Sequence, residues 1–230
     1  MTEIEAPPKV LRDVDRDGAL AEAADALATT RRRVLMLAAG GAVLRVLGGP
    51  GVARASAFAR QDVAILNYAL GLEYLQASFY TEAERLGALR GPLAQQAQVV
   101  GAHERAHVSA FQKVLGADAI KRPTFDFQGV TEDPDGFRRT AVAFEDLSVA
   151  GYKYQAPRLQ SPAFLQAAIA IHSVEARHAA WIRRLAGVLP AATALEQPLP
   201  PARVNALVAS THFVVAPSRT TARRPPKFTG

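Results

Sequence analysis

A chain of 230 residues with 49% hydrophobic and 21% charged residues is long enough to bury a core and too apolar to be disordered throughout. It has no cysteine, which excludes disulfide frameworks, thiolate-bound zinc or iron–sulfur clusters, and thiol nucleophiles. Its formal charge of +6 is unevenly spread: residues 1–55 carry net +1, residues 56–199 net 0, and residues 200–230 net +5 from Arg203, Arg219, Arg223, Arg224 and Lys227. The basic excess belongs to the C-terminal end, where no interleaved aromatic residues mark a nucleic-acid surface, so no nucleic acid is expected as a partner.

Residues 1–28 are polar and acidic. Thr30-Arg31-Arg32-Arg33-Val34-Leu35-Met36 then leads into a modestly apolar, Gly/Ala-rich stretch, and Ala53-Arg54-Ala55 has the small-x-small spacing of a signal-peptidase site. A basic lead, an apolar middle and a small-residue exit are the layout of a secretory signal. Arg45 and the Gly48-Gly49-Pro50-Gly51 interruption leave the run too short and polar for a stable membrane span. The Thr30-Arg31-Arg32-x-Val34-Leu35 pattern resembles a twin-arginine translocation signal, with Val in place of the usual Phe. That resemblance implies passage through the twin-arginine export machinery as a folded chain with any cofactor already loaded. It also implies cleavage near Ala55 and a location in the periplasm, the cell envelope or the medium.

Four helical runs follow. The first spans residues 62–86, with Gly71 its single internal glycine and no proline; Gly91-Pro92 breaks it. The second spans 93–115 and ends at Gly116. Residues 116–134 form a long connection without helical pattern. The third helix spans 135–154, with acid at its start. After a short turn, Ser161 and Pro162 supply the N-cap and first position of a fourth helix that runs to Leu185 and closes at Gly187 and Pro190. Short turn, long connection, short turn predicts an all-α antiparallel four-helix bundle over residues 56–190 with a crossover between helices 2 and 3. Within residues 191–230, the apolar stretch 201–215 is expected to dock on the bundle as a short helix and extended segment. The rest reads as a disordered basic tail suited to an anionic envelope surface.

The apolar stripe of each helix is interrupted by groups foreign to an oily core. The stripes read Leu66, Leu70, Glu73, Ala77, Tyr80; Val100, Glu104, His107, Phe111, Val114; Val142, Glu145, Val149, Tyr152; and Ala168, Ile171, Glu175, His178, Ile182, Leu185. Spacings of three and four place each set on one helical face. Four buried carboxylates would be costly and mutually repulsive. Two divalent cations cancel four negative charges, and carboxylates with one imidazole per ion suit iron or manganese, with zinc less well matched. Glu104-x-x-His107 and Glu175-x-x-His178 place both side chains of each pair within reach of one ion. The pattern also repeats: Glu73 and Glu145 each precede a tyrosine by seven residues, Tyr80 and Tyr152, implying a pseudo-two-fold site.

These residues resemble the ferritin-like di-metal carboxylate proteins, in which two helices give one Glu each and two give Glu-x-x-His. The resemblance covers residues from about 60 to 187, and within that family the chain is similar to the exported bacterial desiccation-related type. It implies Glu104 and Glu175 as bridging ligands, Glu73 and Glu145 as terminal ones, and His107 and His178 on one ion each. It further implies redox chemistry on ferrous iron, dioxygen or peroxide in iron handling or oxidative-stress defence, and association into a homo-oligomer. Tyr80 and Tyr152, at matching positions two turns along from a ligand, are read either as core residues whose hydroxyls find partners or as redox participants. Three other readings compete. One takes the glutamates as a solvated face paired with Arg85, Arg105 and Arg177. His103-Glu104-Arg105-Ala106-His107 matches the H-E-x-x-H pattern of zinc hydrolases. The fold also suits a non-catalytic envelope or stress protein with structural metal or none. His172, three residues before Glu175, is read either as a group supporting a ligand or as a polar-face histidine.

Overall fold

The computed structural model describes residues 50–215, with side-chain surroundings from residue 60. The twin-arginine pattern and most of the expected 1–55 leader therefore lie outside the described residues, as does the basic tail at 216–230.

Five helices account for most of the described chain: α1 (Pro50–Leu86), α2 (Gly91–Leu115), α3 (Pro134–Gln155), α4 (Pro162–Leu185) and α5 (Pro201–Ser210). The first helix begins well before residue 62, where the periodic pattern starts it. The intervening residues are rich in alanine and arginine, the strongest helix formers, and contain neither proline nor glycine after Gly51. Local chemistry sets the other ends. At α3, Asp133 accepts from the amides of Asp135 (3.3 Å) and Gly136 (2.9 Å), with Pro134 just inside. At α4, Ser161 accepts from the Phe164 amide. Asp62 of α1 accepts from the amides of Gln160 (2.8 Å) and Ser161 (3.0 Å), tying that helix start to α1.

α1 packs chiefly on α2 and α3 on α4, as two antiparallel hairpins that meet along α1–α3 and α2–α4. The connection from α2 to α3 climbs α1. Asn67 exchanges hydrogen bonds with Asp118 and Ile120, Tyr74 donates to the Ile120 carbonyl, Arg122 donates to Ser78, and Thr131 donates to Glu82. This traverse makes the fold an all-α ferritin-like bundle with its long crossover between the second and third helices. Within the connection, β1 (Thr124–Phe125) pairs antiparallel with β2 (Val214–Val215). α5 and β2 thus lie against the bundle, with Val204 and Phe213 buried. Among the described residues no helix is long and apolar enough to cross a membrane.

The apolar core has two parts. One gathers Leu66, Leu70, Phe111, Tyr152, Phe164 and Ile171; the other gathers Phe79, Val100, Phe127, Phe137, Phe144 and Ile182. The polar stripe positions lie between them. On α3 the inward face differs from the predicted stripe. Val142 is half-buried, whereas Ala141, Phe144 and Ser148 are buried. Phe144 meets Phe79 with ring centroids 5.3 Å apart, and this aromatic contact turns the helix so that Val142 sits beside the core. Leu185 is likewise half-buried at the end of α4.

Candidate metal centre

All four glutamates are fully buried, and His107 and His178 are each 3% exposed. Complete burial disposes of a solvated ion-pair face. Arg105 pairs with Glu84 at 2.9 Å and Arg177 donates to the Ser173 carbonyl, so neither neutralises the four acids.

The six side chains form two clusters. Glu73, Glu104, His107 and Glu175 bring one ligand atom each within 4.8 Å of the others, and so do Glu104, Glu145, Glu175 and His178. Glu104 and Glu175 belong to both. His107 Nδ1 lies 3.1 Å from Glu73 Oε2, 3.2 Å from Glu175 Oε1 and 3.7 Å from Glu104 Oε2. His178 Nδ1 lies 3.0 Å from Glu104 Oε1, 3.6 Å from Glu145 Oε2 and 3.8 Å from Glu175 Oε1. Each ring turns the same nitrogen toward three carboxylates.

Tyr80 and Tyr152 cap the outer oxygens. Tyr80 donates to Glu145 Oε1 at 2.6 Å, and Tyr152 donates to Glu73 Oε1. Burial pushes both phenols well above their ordinary range, and the neighbouring carboxylates push the same way. The hydroxyls therefore stay protonated and act as donors.

Without metal, protons must balance the cluster. Burial drives Glu73 well above the usual carboxylate range and Glu145 up to about 7, against the opposing pull of His107 and His178. Burial lowers the imidazoles, but the surrounding carboxylates outweigh it, raising His107 well above its ordinary value and His178 to about 10. Glu104 lies between the two rings, whose closeness overcomes its burial and holds it well below the carboxylate range.

Protons do not satisfy the geometry. Both oxygens of Glu104 and of Glu175, Glu145 Oε2 and His178 Nδ1 are buried without a hydrogen-bond partner, although His178 Nδ1 is within 3.0 Å of Glu104. Buried polar atoms that converge without bonding one another form a donor set suited to cations. Four carboxylates and two imidazoles fit a pair of divalent ions, with Glu104 and Glu175 shared between them. The family described as ferritin-like domain matches residues 61–188, more than half of the chain. The chain belongs to that ferritin-like family. No curated protein matches it.

The remaining singled-out histidines of this ferritin-like chain lie outside both clusters. His103 Nδ1 is 2.8 Å from His178 Nε2, the far nitrogen of that ligand candidate, with the rings stacked at 5.1 Å. The H-E-x-x-H run thus sends its first histidine to the back of His178 rather than into a shared cluster with His107. His172 is half-buried on α4, its Nε2 is unpartnered, and burial and Lys153 lower it.

Gln96, Gln76 and Ser148 are among the buried polar residues that were not singled out from sequence. Gln96 is fully buried and its Nε2 donates to the Tyr80 hydroxyl at 3.4 Å. It lies one turn before Val100 on the α2 stripe, so extending that stripe backward would have found it. Gln76 and Ser148, each 1% exposed, stand three residues after Glu73 and Glu145. The signal was a polar residue three positions after the glutamate on all four helices.

Proposed function

We propose that this ferritin-like protein is exported and holds a di-iron centre, with manganese the alternative occupant and zinc less suited. It would act on ferrous iron, dioxygen or peroxide in iron handling or oxidative-stress defence. The observation that carries the reading is the pair of four-residue clusters sharing Glu104 and Glu175. A bound pair of iron or manganese ions would supply one-electron redox steps toward an oxygen species. Glu73 and His107 would hold one ion and Glu145 and His178 the other, with Glu104 and Glu175 between them.

The chain's own contribution is exclusion, orientation and proton placement. The two apolar core halves keep bulk water from the clusters, which strengthens every electrostatic interaction inside. Tyr80 and Tyr152 fix the outer carboxylate oxygens and keep their protons on the phenols. Each hydroxyl touches a ligand carboxylate, which makes these tyrosines the candidates for carrying an electron to or from the centre. The export half of the proposal rests on Thr30-Arg31-Arg32-x-Val34-Leu35 and Ala53-Arg54-Ala55.

Metal analysis after anaerobic loading with ferrous or manganous ions is the direct test. Two ions per chain are expected, and fewer than about one would leave the non-catalytic envelope protein as the better reading. Oxygen or peroxide added to the ferrous-loaded protein should give ferric absorbance that is absent from Glu104→Ala. Oxygen evolution from peroxide by the manganese form would assign catalase-type chemistry instead. An N-terminus sequenced near Ala55 in protein recovered outside the cytoplasm would support export, and an intact Met1 there would contradict cleavage.

A further inference from the structure

Apolar exposure and positive charge gather in the same part of this chain. Of the nine large apolar side chains exposed among the described residues, six lie between 188 and 215: Val188, Leu189, Leu195, Leu207, Val214 and Val215. The first three sit on a connection that is pinned at both ends. The Leu189 carbonyl accepts from Arg183 Nε at 2.8 Å, and the Leu199 amide donates to the Ala150 carbonyl at 3.1 Å. The other three belong to α5 and β2. α5 turns Val204 into the core and packs Val208 beside it, while Arg203 and Leu207, one turn apart, are both exposed. A groove between α5 and β2 is lined by Asn205, Val208, Ala209, His212 and Val214, which joins helix and strand into one face.

The charge beside this face has one sign. Residues 200–230 hold five basic groups and no acid. Arg203 stands on α5 itself, and Arg219 follows Val215 by four residues, a length of chain that reaches at most about 14 Å. Apolar surface next to unopposed positive charge matches a partner that is anionic at its surface and apolar beneath. A second copy of the chain is a poor match, because the same face on two molecules would set basic groups against basic groups. A protein partner is also a poor match. Phe213, the single Phe, Tyr or Trp between 188 and 215, is buried, so the face lacks the aromatic anchors on which protein interfaces commonly depend. Among the described residues no helix is long and apolar enough to cross a membrane, so attachment through this face is peripheral.

We propose that the α5–β2 face and the basic chain end together dock the protein on an anionic phospholipid bilayer. Leu207, Val214 and Val215 enter the boundary between headgroups and acyl chains. Arg203, Arg219, Arg223, Arg224 and Lys227 meet the lipid phosphates. The docking surface shares no residue with the metal centre and does not depend on it.

Flotation of the full chain with vesicles of phosphatidylglycerol or of phosphatidylcholine is the test. The parent protein would carry Arg31→Gln, Arg32→Gln and Arg33→Gln, so that the leader's basic run does not supply the attraction. Binding to phosphatidylglycerol should exceed binding to phosphatidylcholine at least about tenfold, and should fall steeply as salt rises from about 0.1 M to about 1 M. Adding Arg219→Gln, Arg223→Gln, Arg224→Gln and Lys227→Gln together should weaken it at least about a hundredfold. Adding Leu207→Ser, Val214→Thr and Val215→Thr, which keep β-branched residues in β2, should weaken it at least about tenfold. Equal binding to both lipids, or undiminished binding in either variant, would overturn the proposal. A dimer of the parent in sedimentation that the apolar variant splits would also overturn it and assign the face to a second copy. Should the apolar variant fold poorly, Leu207→Trp in the parent reads the contact directly. Brominated acyl chains should quench its emission beyond that of Trp181 in the parent, and an unquenched signal overturns the docking.

Discussion

The Tyr80 hydroxyl on α1 donates to Glu145 Oε1 on α3 across 2.6 Å, and the reverse bond runs from Tyr152 on α3 to Glu73 on α1. Each tyrosine thus steadies the carboxylate that only one of the two clusters uses. Phenylalanine at either position keeps the ring and removes the donor. Tyr80→Phe should weaken the ion shared by Glu145 and His178 by about 10–100-fold and leave the other ion nearly untouched; Tyr152→Phe should do the opposite. The cost to the loaded fold should be about 1.5–3 kcal/mol for each lost bond to a charged group. Calorimetric metal titration would show two affinities, one moving in each variant, and equal weakening of both ions would contradict this division.

His103 separates the bundle centre from an H-E-x-x-H zinc site. Its Nδ1 contacts the nitrogen of His178 that points away from the carboxylates, so it orients a ligand candidate without belonging to either cluster. His103→Ala should retain two ions per chain with about tenfold weaker binding at the His178 cluster. Complete loss of metal would instead mark His103 as a ligand in its own right.

The centre was legible because its chemistry conflicts with its surroundings. Glutamates on an apolar stripe have no cheap explanation in a core, and Glu-x-x-His twice over has few alternatives. The helix start at Ser161-Pro162 was readable because capping uses few residue types, whereas Asp133-Pro134, which caps and opens α3, was read as the end of the connection. The β1–β2 pairing was not. Two-residue strands carry no periodicity, and the partners stand about ninety residues apart. Gln76, Gln96 and Ser148 also passed unnoticed, since uncharged polar residues are common on helix surfaces and only packing shows them buried. The α3 stripe was placed partly on Val142, because spacing alone does not reveal that Phe144 is the residue that meets Phe79.

Protons and metal ions compete for the same atoms, which fixes a pH dependence. In the metal-free fold His178 is raised to about 10, so its favourable charge is fully present below its ordinary value of 6.5 and lost as pH rises through about 10. Glu145 is raised to about 7, so its burial begins to penalise the fold as pH climbs above the ordinary 4.5. Both effects make the metal-free protein less stable as pH increases. Bound cations replace these protons and offset the ionised carboxylates, so the melting-temperature gap between loaded and metal-free protein should widen from pH 5 to pH 8. Paired thermal melts across that range check it, and a constant or shrinking gap would contradict the assignment of His178 and Glu145 as ligands.

Phe213 joins the C-terminal segment to the crossover, and its loss should separate fold stability from metal binding. The ring is 7% exposed and packs on Phe127 and Phe144 at centroid distances of 5.5 and 6.2 Å. Its carbonyl accepts from the Asp126 amide at 2.9 Å, continuing the β1–β2 pairing. Phe213→Ala removes a buried aromatic and leaves a cavity beside two others, which should cost about 3–5 kcal/mol. None of its ring contacts is a ligand, so two ions per chain should still bind the folded protein. Urea unfolding at fixed metal concentration should show the lower midpoint, and metal analysis of the same sample should show the unchanged content. A loss of metal without a loss of stability would mean that the docked segment positions the centre through Phe144 and the adjoining Glu145 rather than closing the core around it.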